Sequence, residues 1–235
     1  MTESIQAGTL YVVSTPIGNL ADITYRAVHI LMSVQLIAAE DTRNTGILLK
    51  HYQINTPMVS YHQFNEAKRT PEIVERMHNG DAVAIVSDAG TPGISDPAYR
   101  VVCGAIEAGI PVIAIPGPSA LLPALVTSGL PTDRFVFEGF LPVKKGRHTR
   151  LQILKAEPRT MIFYEAPHRI PRTLRDILEA FGDRKMTAAR EITKKFEEVK
   201  RGTISEVAAY FHQKTIRGEF VLVVEGSTGD PEIDD

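Results

Sequence analysis

The first half of the chain repeats one pattern. A run of four to seven mostly apolar residues is followed by a loop rich in small residues, and then by a stretch of helical character. The strand-like runs are Leu10 to Ser14, Leu36 to Ala39, Met58 to Tyr61, Asp81 to Ser87 and Pro111 to Ile115. Between them lie Ile23 to Ser33, a stretch around Gly46 to His51, and two helices that Thr70-Pro71 and Asp96-Pro97 are expected to open. Threonine or aspartate can cap a helix, and proline at the first position needs no donor there. In the last of these helices Ala98, Val101, Val102, Ala105 and Ile106 follow the spacing of one buried face. Strands that alternate with helices imply a mostly parallel sheet, with the loops after the strands gathered at one edge.

The second half reads differently. Pro116-Gly117-Pro118 is a break, and it places a boundary between a domain of residues 1–117 and one of residues 118–235. Strands are expected at Phe135 to Phe137, Thr160 to Tyr164 and Phe220 to Val224, with hairpin partners near 187–190 and 197–201. A helix after Pro167 aligns Ile170, Leu174, Ile177, Leu178 and Phe181. Thr203-Ile-Ser-Glu206 is a capping box ahead of Ile204, Val207, Ala208 and Phe211. These elements form a mixed α/β domain.

Composition narrows the function classes. Of 235 residues, 43% are apolar and 23% charged, as in an ordinary globular chain. No apolar run approaches the ~18 residues of a membrane span, and Met1 to Thr9 lacks the pattern of a secretory signal. The single cysteine, Cys103, excludes an internal disulfide and a cysteine-based metal cluster, and a reducing, cytoplasmic setting is expected. The net charge of −2 hides an asymmetry. Residues 1–120 carry 7 Lys and Arg against 11 Asp and Glu, whereas residues 121–229 carry 19 against 13. Asp230 to Asp235 form an acidic tail. No acid lies between Glu138 and Glu157, where Lys144, Lys145, Arg147, Arg150 and Lys155 cluster. Such a segment attracts phosphates.

Three loops follow strands directly: Thr15-Pro-Ile-Gly-Asn19, Asp88-Ala-Gly-Thr-Pro-Gly-Ile-Ser-Asp96 and Pro116-Gly-Pro-Ser119. Glycine there lets backbone approach a ligand closely. None is a dinucleotide fingerprint or a P-loop. Glu40-Asp-Thr-Arg43 reaches the same edge, where Asp41 or Thr42 is also a candidate helix cap. His62 and Glu66 follow the third strand. In the second half Glu165, His168 and Arg169 lie just past a strand, as do Arg190-Glu191 and Lys194-Lys195, and Arg217-Gly-Glu219 precedes the last strand. Each of these pieces is equally compatible with an ordinary solvated strand end.

Taken together, Thr15-Pro-Ile-Gly-Asn-Leu, Glu40-Asp-Thr-Arg43, Ser87-Asp-Ala-Gly-Thr-Pro92, Pro116-Gly-Pro-Ser119, Phe163-Tyr-Glu165 with His168-Arg169, Ala189-Arg-Glu191 and Gly218-Glu219 resemble the tetrapyrrole methylase superfamily. They are most similar to its branch of small-subunit ribosomal RNA cytidine 2'-O-ribose methyltransferases. The resemblance runs from about Gly8 to Gly226. It implies a two-domain class III methyltransferase that uses S-adenosylmethionine, folded into a cleft between the domains, and no metal. It further implies a homodimer acting on a cytidine in the decoding region of 16S rRNA, in the small ribosomal subunit. Many members carry a further helical C-terminal segment, which is expected to be missing here.

Carried over residue by residue, the resemblance puts Pro16, Ile17, Asp88, Ala89, Gly90 and Ile94 against the cofactor, with Ser119 and Ala120 following the proline turn into the pocket. Phe163, Tyr164, Arg190 and Gly218 would close it around the adenosine. Lys144, Lys145, Arg147 and Arg150 would contact RNA phosphates. A ribose hydroxyl needs its proton removed. Glu40, Asp41, His62, Glu66, Glu165 and His168 are candidates for that role, Asp41 with Arg43 and Glu165 with His168 first, and water is the alternative. Two rival readings stand beside this one: a corrin or porphyrin precursor as substrate, and a non-catalytic RNA-binding assembly factor.

Overall fold

A computed structural model describes residues 5–228. The acidic tail Asp230 to Asp235 lies outside the described residues, as does the start of the segment read for a secretory signal. The chain divides after Ser119 into two compact units, Met1–Ser119 and Ala120–Asp235.

The first unit alternates β1 (Leu10–Val13), α1 (Tyr25–Ser33), β2 (Leu36–Ala39), α2 (Thr42–His51), β3 (Met58–Ser60), α3 (Glu66–His78), β4 (Val83–Val86), α4 (Tyr99–Glu107) and β5 (Val112–Ile115). Its sheet has the order β3-β2-β4-β1-β5, and every pairing is parallel. β2 and β4 are buried at every position, which explains their unbroken apolar runs rather than alternation. One face carries α1 and α2, with Ala27, Ile30, Leu31 and Leu49 against Tyr11, Val13, Ile37 and Ala39. The other carries α3 and α4, with Ile73, Met77, Val101 and Ala105 against Leu10, Leu36, Val83 and Ile85.

Three local expectations are corrected. α3 starts at Glu66, not at Pro71, which lies inside the helix. The Asn65 side chain accepts from the His62 amide at 2.8 Å and donates to the Ser60 carbonyl, so the turn before Glu66 launches the helix. The Thr70 hydroxyl pairs instead with the buried Tyr61 hydroxyl at 2.9 Å. α4 starts at Tyr99, and Asp96 accepts the amides of Gly93 and Ala98 in the turn just before it. Ile106, expected on the buried face of that helix, is 62% exposed.

The second unit contains α5 (Leu121–Val126), β6 (Phe135–Phe140), α6 (Arg147–Leu154), β7 (Thr160–Glu165), α7 (Ile170–Phe181), β8 (Lys185–Arg190), β9 (Glu198–Thr203), α8 (Ile204–His212) and β10 (Phe220–Val224). Its sheet has the order β6-β7-β10-β8-β9. Only β6 and β7 are parallel; the other neighbours are antiparallel. The Thr203 capping box forms as its spacing requires. The larger core packs α7 and α8 onto one sheet face through Leu174, Ile177, Phe181, Val207 and Phe211. Among the described residues, no helix is long and apolar enough to cross a membrane.

Candidate active site

In the first unit β1 and β4 are neighbours, but their loops lead to helices on opposite faces of the sheet. A crevice opens at such a reversal, and ligands of open α/β sheets bind there. Three loops are knitted together at this point. Thr15 and Gly90 exchange backbone hydrogen bonds at 2.9 Å in both directions. The hydroxyls of Ser14 and Thr91 lie 3.0 Å apart, and Thr91 also donates to the Pro118 carbonyl at 3.3 Å. Thr15 Oγ1 donates to the Ser87 carbonyl. Gly90 has a φ of +83°, and a Cβ on Gly117 would lie 2.9 Å from the Ser14 Cβ. Glycine is therefore required at both places, for left-handed backbone in one and close approach in the other.

The residues expected against the cofactor are distributed around this floor. Pro16 is buried and Ile17 half-buried over Gly90, while Asp88 and Ala89 are exposed. Ile94 is exposed in the same loop. Ser119 closes the first unit and Ala120 opens the second, both half-buried.

The acids beside this floor have distinct states. Glu40 Oε2 accepts the Asp88 amide at 3.1 Å, and Asp88 Oδ1 accepts the Asp41 amide at 3.1 Å. Burial raises the Glu40 pKa above the usual carboxylate range; the Asp88 amide opposes this, and the negative Asp88, Asp96 and Asp41 add to it. Asp41 behaves oppositely. Arg43 holds its carboxylate through the guanidinium and the backbone amide, lowering its pKa to about 2. Asp41 also caps α2. Asp41 and Arg43, expected as a catalytic pair, are brought together in the contacts of a helix cap, and an anion so stabilised is a weaker proton acceptor. His62 is engaged by the Phe64 amide and Asn65, and Glu66 by Arg100 at 3.2 Å.

In the second unit the expected Glu165–His168 pair is not formed. Glu165 is buried and accepts from Thr173 Oγ1 at 2.5 Å, from the Ala166 amide and from Arg169 at 3.1 Å, whereas His168 is exposed. Thr173 in turn accepts from Arg147, which pairs with Asp176 at 2.7 Å. The Arg147 side chain is only 5% exposed. It therefore ties α6 to α7 and is corrected as a phosphate contact. Arg150 is held by two bonds to Glu138. Lys144 and Lys145 are exposed.

Phe163 faces the apolar core, on a strand paired with β6 on one side and β10 on the other. Tyr164 is half-buried against Phe137 and Phe140. Arg190 pairs with Glu198 at 3.1 Å through one terminal nitrogen, while its buried Nε has no hydrogen-bond partner. Gly218 has a φ of +81°, and a Cβ there would collide with the Glu191 side chain. The Ser14–Thr91 tie and the Glu40–Asp88 exchange were not expected as pairs. Their only sequence signal was that each member adjoins a strand end.

A family model of the tetrapyrrole (corrin/porphyrin) methylases matches residues 9–208. The chain belongs to the tetrapyrrole methylase family. A Synechocystis protein named ribosomal RNA small subunit methyltransferase I is 55% identical over 223 residues, covering 94% of this chain and 80% of that protein. A Streptococcus pyogenes serotype M1 protein of the same name is 47% identical over 229 residues, covering 97% and 80%. Among solved structures, uroporphyrin-III-C-methyltransferase from Thermus thermophilus aligns with a TM-score of 0.66 at 18% identity, covering 93% of this chain and 94% of its own. That likeness is one of fold. In this tetrapyrrole methylase the knitted loops and the Glu40–Asp88 exchange lie together at the carboxyl edge of the first sheet.

Proposed function

We propose that this chain is an S-adenosylmethionine-dependent methyltransferase acting on 16S rRNA, and that its acceptor is the ribose 2'-oxygen of a cytidine in the decoding region. The observation that carries the reading is the joining of the Thr15, Gly90 and Gly117 loops at the switch point, in a chain about half identical to proteins named for small-subunit ribosomal RNA methylation.

The residues present fit the cofactor. Gly117 approaches Ser14 so closely that a Cβ would clash, which joins the loops after β1 and β5, and Asp88 and Ala89 are exposed in the loop after β4, where the Asp88 amide is held by Glu40. Arg190 keeps a buried donor without a partner, a group that a ligand oxygen would satisfy. When bound, S-adenosylmethionine supplies an electrophilic methyl group. The protein's part is position and electrostatics. Burial raises the Glu40 pKa, the direction that suits a general base. Its Oε2 fixes the Asp88 loop meanwhile. Lys144 and Lys145 orient RNA through phosphates without reading bases.

The finer parts of the reading rest on the family resemblance: a cofactor cleft between domains 1–117 and 118–235, a homodimer and a cytoplasmic setting. The dimer is also supported by Tyr25 and Phe64, which are 97% and 87% exposed in the first unit. Large aromatic side chains are enriched at interfaces between proteins.

The test is transfer of a labelled methyl group to purified small subunits lacking ribose methylation, with mass mapping of the product. A 2'-O-methylcytidine in the decoding region is expected. Transfer to a corrin or porphyrin precursor instead, or RNA binding with no cofactor affinity, would overturn the reading.

A further inference from the structure

We propose that a groove at the β6 edge of the second unit is a nucleobase subsite, in which an unpaired base of single-stranded RNA stacks on Phe140. This rests on the reading of the chain as an enzyme acting on RNA. The groove measures about 540 Å³ and is lined by Phe137, Phe140, Leu141, Ile153 and the Glu138–Arg150 pair, among others. That volume lies within the range of small-ligand sites.

A backbone irregularity builds the groove. Along a regular strand Phe137 and Phe140 would point to opposite faces. The register of β6 on β7 shifts between Phe137 and Gly139, so that Phe137 pairs with Ile162 and Phe140 with Tyr164. Both rings thereby reach Tyr164, with centroids 4.9 and 5.8 Å away and the planes steeply inclined. Bulges of this kind re-aim side chains. Tyr164 steadies the Phe140 ring, yet Phe140 remains 51% exposed, and Ile153 in the same groove 61%.

The charge around the groove selects the occupant. Glu138, the acid in its wall, is neutralised by two bonds from Arg150, and Glu157 by Arg159. No other acid lies between them in sequence. Lys144 and Lys145 are exposed beside the groove, and among the described residues neither has an ion-pair partner. An exposed aromatic ring with uncompensated lysines is the arrangement that holds single strands: the ring takes a base face, and the cations follow the phosphates.

The experiment measures binding of a fluorescent single-stranded polypyrimidine RNA to the intact protein, for wild type, Phe140→Ala and Phe140→Trp. Phe140→Ala is expected to weaken binding about tenfold, within the range measured for base stacking on aromatic side chains. Phe140→Trp should retain affinity, and the salt dependence of Phe140→Ala should match wild type because stacking releases no counterions. RNA carrying 5-iodouridine should cross-link to the peptide containing Phe140. Wild-type affinity in Phe140→Ala with cross-links elsewhere would overturn the proposal. So would weakened binding to whole small subunits with unchanged binding to protein-free RNA, which would assign the groove to a ribosomal protein. Failure of the underlying reading is distinct: the wild-type protein would then neither bind this RNA nor methylate small subunits, and both proposals would fall.

Discussion

Asp88 gives its backbone amide to Glu40 Oε2 and takes the Asp41 amide on its own Oδ1, both at 3.1 Å. The exchange fastens the end of β2 to the loop after β4, beside the floor that Thr15 and Gly90 build. Glu40 thus holds the loop proposed to meet the cofactor, while burial disfavours its charge.

Two substitutions separate these roles. Glu40→Ala removes the acceptor that fixes the Asp88 loop and is expected to weaken S-adenosylmethionine binding by about two- to tenfold in calorimetry, since an intramolecular hydrogen bond contributes about 0.5–1.5 kcal/mol net. Glu40→Gln keeps the acceptor and should bind the cofactor as wild type does. The pH dependence has a definite sign. The Glu40 pKa is raised by folding, so its contribution to stability is full below the ordinary glutamate value and is lost as pH rises through the raised one. Urea midpoints measured upward from about pH 4 should fall less in Glu40→Gln than in wild type. Parallel curves would remove the argument from burial.

Asp41 makes the opposite case. Its carboxylate, held by Arg43, titrates at about 2. The stability linked to it is present above the ordinary aspartate value and is lost only as pH falls through about 2. Carboxyl carbon NMR of the wild type should show that low midpoint, and Arg43→Ala should move it back up towards the ordinary range. Methyl transfer in Arg43→Ala should persist if the pair only caps α2. A complete loss of turnover with cofactor binding intact would restore the pair to the chemistry.

Gly117 tests the knitted floor. Alanine there would bring Cβ to 2.9 Å from Ser14 Cβ and 3.4 Å from the Ser14 carbonyl oxygen. The loops after β1 and β5 must then part, at a cost of about 1–3 kcal/mol in stability, and cofactor affinity should drop with them. Gly46 in α2 is the control, since a Cβ there meets only a methionine methyl group at 3.9 Å. Gly46→Ala should stabilise by about 0.5–1 kcal/mol and leave cofactor affinity unchanged. Equal cofactor affinity in both variants would show that the Gly117 loop does not shape the site.

The parallel sheet was legible because its central strands are buried on both faces, which leaves short unbroken apolar runs such as Val83 to Val86. The loops at its edge were legible because close backbone contact, as between Gly117 and Ser14, admits few residue types. Start signals misled where a side chain had another partner. Thr70 before Pro71 has the form of a cap, yet its hydroxyl belongs to Tyr61. In the second unit Arg147 lies among exposed lysines in sequence, and the Thr173 and Asp176 that bury it are 26 and 29 residues away. The aromatic groove depended on a register shift that strand periodicity does not reveal.

That hidden difference within the basic segment yields a last prediction. Arg147→Ala takes the buried guanidinium from Thr173 and from Asp176, which keeps Arg172 at 3.5 Å and Arg175 at 3.6 Å. Hydrogen bonds to a charged group contribute about 1.5–3 kcal/mol, so the urea midpoint should fall. RNA binding should decline only as far as the folded fraction does. Lys144→Ala with Lys145→Ala should behave in the reverse manner. Exposed substitutions away from special features change stability by less than about 0.5 kcal/mol. Each lost phosphate contact should lower the slope of log affinity against log salt by about one. Stability and salt slope, measured on the same two variants, therefore move independently if Arg147 is a tie and the lysines are contacts. A reduced salt slope in Arg147→Ala at full folding would instead place Arg147 on the RNA.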